Sequence, residues 1–174
     1  MTEDELVKKW RIGICCLRKA HFHCANYFAL WNSFAGGVLI FLSALATAVA
    51  YSLLKFELFK VGWYDAILPV VGMLTTIVAG LQAYFRFAER AERHRAAGAN
   101  FARLEMETES LLASLDAKNL DADSRHKKVE WLKSKWIRYT IGAPLIPMWI
   151  HKKHCGHLEL KDCCSESMKR QLQE

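Results

Sequence analysis

The sequence predicts an all-α membrane protein: a two-transmembrane helical hairpin with long cytoplasmic helix extensions, gathered into a homo-oligomeric bundle. Three observations predict it. Two uncharged apolar runs, residues 34–54 with 21 residues and 66–85 with 20, each match the roughly 20 helical residues that cross a bilayer core of about 30 Å. Apolar residues recur at three and four before the first run and after the second, the spacing of a helix seam. Lys and Arg collect on the two outer flanks, five in residues 1–32 and five in 86–105, against two in the loop 55–65, which puts both termini in the cytoplasm.

Composition alone decides little. The chain has 174 residues, 52% of them hydrophobic, and a net charge of +6. Such a charge suits nucleic acid or an anionic membrane surface, and its position tells which. Here the charge flanks apolar spans, so direct nucleic-acid binding is not expected and membrane lipid is. The division expected is 1–140 for the two-transmembrane domain, with spans at about 33–54 and 66–85, and 141–174 for a C-terminal apolar segment and polar tail. The first run follows an acidic start, "MTEDE", and reads as a retained anchor. All six cysteines fall on the cytoplasmic side, where reduced thiols are expected.

The elements follow in order. Val7, Trp10, Ile14, Leu17, His21, Cys24, Phe28 and Trp31 form a seam that leads into the first span. Residues 4–54 therefore read as one long helix or two nearly collinear ones. Within the spans small residues prevail: Gly36, Ser43 and Thr47 in the first, and Gly72, Thr76 and Gly80 at intervals of four in the second. These allow close helix packing, within the hairpin or between subunits. Thr75, Ala79, Gln82 and Arg86 make a second, mildly polar stripe. It suits either side chains bonded to their own backbone or the lining of a water-filled path in an assembly.

After the second span, "RFAERAERHRAAGANFARLEME" brings a burst of charge. Glu89 with Arg93 and Glu92 with Arg95 are spaced for ion pairs on one helix. The seam resumes at Phe101, Leu104, Thr108 and Leu111, so 66–116 reads as a single helix. With Val7, Trp10, Ile14 and Leu17, these positions are candidates for an oligomer seam, or for packing inside one subunit. Gly98 within this run suggests close helix approach.

Residues 123–140 are amphipathic and basic. Lys128, Trp131, Lys135 and Trp136 are candidate membrane-surface residues, with packing on the long cytoplasmic helices as the equal alternative. The segment "IGAPLIPMWI" is too short to span and is broken by Pro144 and Pro147; it docks at the interface or between helices.

Enzyme motifs are missing, neither span contains Asp, Glu, Lys or Arg, and no cofactor is called for. No metal site is assigned. His151, His154, Cys155 and His157 are ligand types suited to zinc, but their spacing matches no standard module.

The residues from 84 to 112 resemble the SLATT domain, a two-transmembrane module of prokaryotic conflict systems. The likeness rests on Tyr84, the step Ala88–Glu89, His94, the small residues 96–98, Phe101 and Leu104. The resemblance implies a membrane effector that assembles in the inner membrane and opens a pore in antiphage, abortive-infection defence. It also implies a separately encoded sensor: a nucleotide synthetase, a nucleotide-binding sensor or a reverse transcriptase. The competing expectation is a membrane-anchored scaffold that recruits a cytoplasmic partner through residues 100–140 and conducts nothing.

Overall fold

A computed structural model describes residues 3–55, 64–116 and 121–155. They form five helices and, among the described residues, no strand: α1 (Glu3–Lys55), α2 (Tyr64–Phe85), α3 (Phe87–Asp116), α4 (Ala122–Gly142) and α5 (Met148–Cys155). The chain divides into two compact units. One comprises Met1–Asn26 with Glu92–Glu174, the other Tyr27–Ala91.

The first unit is a three-helix bundle. Its core takes Val7 and Ile14 from α1, Phe101, Leu104, Leu111, Leu112 and Leu115 from α3, and Val129 and Leu132 from α4. The three-four spacing puts each set on one helix stripe. Removing these side chains from water is the main stabilising term, about 1.5–3 kcal/mol for each large aliphatic or aromatic one. Ion pairs fix the order of the helices. Arg11 meets Glu109 and Arg18 meets Glu105, at 2.8 and 2.9 Å, so α3 runs antiparallel to α1. Lys135 reaches back to Glu107, and His126 lies near Glu3, so α4 runs parallel to α1.

Local chemistry sets the ends. Glu3, Asp4 and Glu5 sit in the first turn of α1, where carboxylates complement the helix dipole. Asp121 caps α4, its side chain accepting from the Ser124 N–H at 3.3 Å. At the other end Ala143 is extended, with φ −80° and ψ 143°, as the following Pro144 demands. The chain stays non-helical to Pro147, whose carbonyl then accepts from the Ile150 and His151 N–H groups to start α5.

The single-helix expectation for residues 4–54 agrees with α1. The expectation of an unbroken helix over 66–116 is corrected. Arg86 has φ 48°, left-handed backbone that a residue with a Cβ adopts at a cost of roughly 1–2 kcal/mol. It separates α2 from α3, although the Arg86 N–H still donates to Gln82 and the Arg90 N–H to Arg86.

The second unit holds the apolar helices. An 18-residue apolar window in α1 has no buried residue, and the corresponding window of the second span is 6% buried. A core helix of a soluble protein would be covered. These helices expose Ile40, Phe41, Met73, Ile77 and Leu81, the surface that a hydrocarbon solvent accommodates.

Candidate functional site

The hairpin unit carries the pore-lining candidates. The Thr75 hydroxyl donates to the Val71 carbonyl at 2.8 Å, which satisfies it inside its own helix. Gln82 does otherwise. Its Nε2 donates to Asn32 Oδ1 of α1 at 3.4 Å, a polar link between α1 and α2. Ala79, Gln82 and Arg86 line one groove of about 430 Å³ together with Asn32, Leu39 and Ala83. Arg86 pairs with Glu89 at 2.5 Å. Three of the four residues in the polar stripe thus share one surface. Asn32 completes it and was missed by sequence reasoning, because it lies just outside the uncharged run that drew attention.

The small residues face outward. No atom lies within 4 Å of where a Cβ would stand on Gly36, Gly72 or Gly80. Thr47 donates to the Ser43 carbonyl and Thr76 to the Gly72 carbonyl, both at 2.9 Å. The Gly72, Thr76 and Gly80 stripe is exposed along its length, so its capacity for close packing is unused within the hairpin.

The seam residues fare differently. Val7, Ile14, Phe101, Leu104 and Thr108 are at most 1% exposed and Leu111 is 6% exposed. Trp10 and Leu17 pack against the same cluster. In the single chain these positions pack inside the bundle, the alternative to a seam between subunits. The four candidates for a membrane surface also divide. Trp136 packs against Trp10, ring centroids 5.8 Å apart and planes tilted by 59°, and fills the space over Gly13, where an added Cβ would stand 3.4 Å from its ring. Lys135 is held by Glu107 and lies 4.5 Å over the Trp131 ring. Lys128 and Trp131 line a cleft of about 340 Å³ between α3 and α4. In α4, Val129 and Leu132 are buried, so its apolar face is turned onto the bundle.

The bundle buries a pair of histidines. His21 and His94 are 1% and 4% exposed, with their Nδ1 atoms 3.0 Å apart. One ring donates and the other accepts, so the acceptor is neutral, and burial disfavours a charge on either ring. His21 also stacks on Phe101 at 5.4 Å. Burial first, and the neighbouring His94 second, lower the His21 imidazole to about 4. Burial likewise lowers His94. Burial raises the Glu105 carboxyl above its ordinary value, and the nearby Arg18 guanidinium opposes the shift.

The expectation of reduced thiols is corrected at one pair. Cys16 and Cys155 form a disulfide, with Cα atoms 5.6 Å apart, a separation that a bridge requires. The fold of α5 back onto α1 produces this proximity across 139 residues of sequence. Among the described residues, Cys15 and Cys24 are buried thiols outside this bridge. Cys155 is thus not an open ligand, and the His154 ring lies 4.9 Å from His23. His157 falls outside the described residues. Among the described residues no three His, Cys, Asp or Glu side chains converge on a metal position.

What the chain presents, then, is a lipid-suited hairpin with a polar groove, joined to a helical bundle that buries ion pairs and a histidine pair. No curated protein and no solved structure matches it. A family model for a membrane effector of conflict systems, however, matches residues 14–145, which includes both apolar helices and most of the bundle. The chain belongs to the SMODS and SLOG-associating 2TM effector domain family 4.

Proposed function

We propose that this effector is a pore former: it oligomerises in the bacterial inner membrane and permeabilises or depolarises it during an antiphage, abortive-infection response. Both termini lie in the cytoplasm in this reading, which the distribution of Lys and Arg supports. The carrying observation is the groove in which Asn32, Ala79, Gln82 and Arg86 meet on a largely apolar hairpin. A polar surface is costly against lipid and useful along a water-filled path. The open Gly72, Thr76 and Gly80 stripe supports assembly, because helices of neighbouring subunits can approach closely along it. The chain performs no catalysis in this reading, and a separately encoded sensor supplies the trigger: a nucleotide synthetase, a nucleotide-binding sensor or a reverse transcriptase.

The test is leakage of a small dye and of ions from liposomes holding the purified chain, with toxicity on induced expression. Gly72→Leu and Gly80→Leu meet open space in the single chain, so they leave its fold intact and abolish leakage and oligomerisation together. Gln82→Leu removes the polar link and lowers conductance. Absence of leakage from the unmodified chain, alongside capture of one stoichiometric cytoplasmic partner, replaces the pore with a scaffold.

A further inference from the structure

The bundle unit carries an exposed apolar surface that neither its core nor the hairpin explains. Ile137 and Ile141 stand one turn apart at the end of α4, 51% and 80% exposed, followed by Leu145 at 94%, Met148 at 68% and Trp149 at 51%. A soluble surface seldom clusters side chains of this size. The backbone suits a wet-to-apolar boundary as well. Between Ala143 and α5 the chain is non-helical, and Pro144 and Pro147 have no N–H to desolvate.

Its place within the bundle is informative. Gly142, Ala143 and Pro144 line a cleft with Arg93, Ala96 and Asn100. Trp149 lies edge-on to His23, with ring centroids 6.2 Å apart. Arg93 and His23 lie within four residues of the two points, Glu92 and Asn26, at which this unit's chain passes to and from the apolar hairpin. The patch therefore sits at the end of the bundle where both connections to the membrane-spanning segments leave. Its flanks are basic: Arg138 on α4 and His151, Lys152 and Lys153 on α5 are exposed.

We propose that residues 137–149 form a membrane-docking surface, in which Ile141, Leu145, Met148 and Trp149 enter the headgroup boundary of an anionic leaflet while Arg138, Lys152 and Lys153 contact its phosphates. The occupant is lipid, because a large apolar patch edged by cations beside two membrane exits matches an anionic interface in both chemistry and position. The proposal rests on the cytoplasmic placement of the bundle and is independent of conductance. A docked patch holds the bundle against the leaflet, and its release frees the bundle to move relative to the bilayer.

The experiment is hydrogen exchange on the full chain in nanodiscs of phosphatidylglycerol with phosphatidylcholine, compared with phosphatidylcholine alone. The expected result is exchange at 141–150 slower by about tenfold in the anionic discs, with quenching of Trp149 by brominated lipid, read against Trp149→Phe. Leu145→Glu with Met148→Glu abolishes both signals while peptides around Leu104 keep their protection, which shows that the variant is folded. Equal exchange in the two lipids overturns the proposal. So does protection that follows the number of chains per disc and ignores lipid charge, since that identifies a second copy as the occupant. Liposome leakage, measured separately, stands or falls without reference to these outcomes.

Discussion

Acid should loosen the bundle through His21. The unfolded imidazole takes up a proton near 6.5, whereas the folded one, buried against His94 and Phe101, does so only at about 4. Between those values the unfolded chain binds more protons than the folded one, so stability falls as pH drops through the window. It is fully present above 6.5. Lowering the pH from about 7.5 to about 5 removes up to about 2 kcal/mol through this one group. For a bundle of this size that is a fall in melting temperature of roughly 8–16 °C. Glu105 acts with the opposite sign, because burial raises its carboxyl and protonation relieves that cost. The His21 share is therefore read against His21→Gln, which keeps a hydrogen-bonding amide beside His94, takes no proton, and leaves Glu105 unchanged. The assay is thermal unfolding of the full chain in detergent, followed by tryptophan emission, since Trp10 and Trp136 lie together at the core. The unmodified chain should show the steeper loss on acidification. Parallel profiles for the two proteins would refute the assignment.

Three further outcomes are expected. Arg18→Met leaves the buried Glu105 carboxylate without its nearest cation and should cost about 3 kcal/mol at neutral pH; thermal melts should show the cost shrinking in acid and largely recovered by adding Glu105→Gln. Gly98→Ala places a Cβ 3.2–3.3 Å from the Phe22 ring, yet Phe22 is 37% exposed and can swing outward, so the roughly 1 kcal/mol gain in helix propensity prevails and the melting temperature should rise or hold. Reduction with dithiothreitol should convert the Cys16–Cys155 disulfide to two thiols while the reductant becomes a cyclic disulfide, giving a slower-migrating band on a gel run without further reductant, a shift that Cys16→Ser lacks; opening a loop closed across 139 residues should cost up to about 5 kcal/mol, seen as a lower melting temperature with reductant.

The seam shows how much of this was legible in sequence and where legibility stops. Spacing of three and four located the stripe from Val7 to Leu17 and from Phe101 to Leu111, because helical period and burial are one geometric fact. Spacing carries no information on whether the covering helix belongs to the same chain, and here α4 supplies the cover through Val129 and Leu132. The same limit applies to α4 itself. A basic helix with tryptophans suits a leaflet or a bundle, and the space over Gly13 that receives Trp136 becomes visible only when α1 and α4 are side by side. Arg86 is harder still: neither Gly nor Pro marks the place where φ reaches 48°. The Cys16 and Cys155 pairing depends on a return of α5 that no local pattern encodes.

These placements narrow how the chain can assemble. A seam buried to 0% at Val7, Ile14, Leu104 and Thr108 offers nothing to a second copy unless the bundle opens, which would expose the core that stabilises it. Assembly by intact subunits must therefore use surface that remains open. In the hairpin that surface includes the stripe of Gly72, Thr76 and Gly80, where an added Cβ at either glycine meets no other atom within 4 Å. A bulky residue there obstructs neighbours and spares the fold, whereas Leu104→Ala damages the fold by about 2–5 kcal/mol and reaches assembly only through it. If Leu104→Ala disrupts oligomers at a temperature where the bundle remains folded, while Gly72→Leu leaves them intact, the subunits meet through the seam after all and the argument from burial fails.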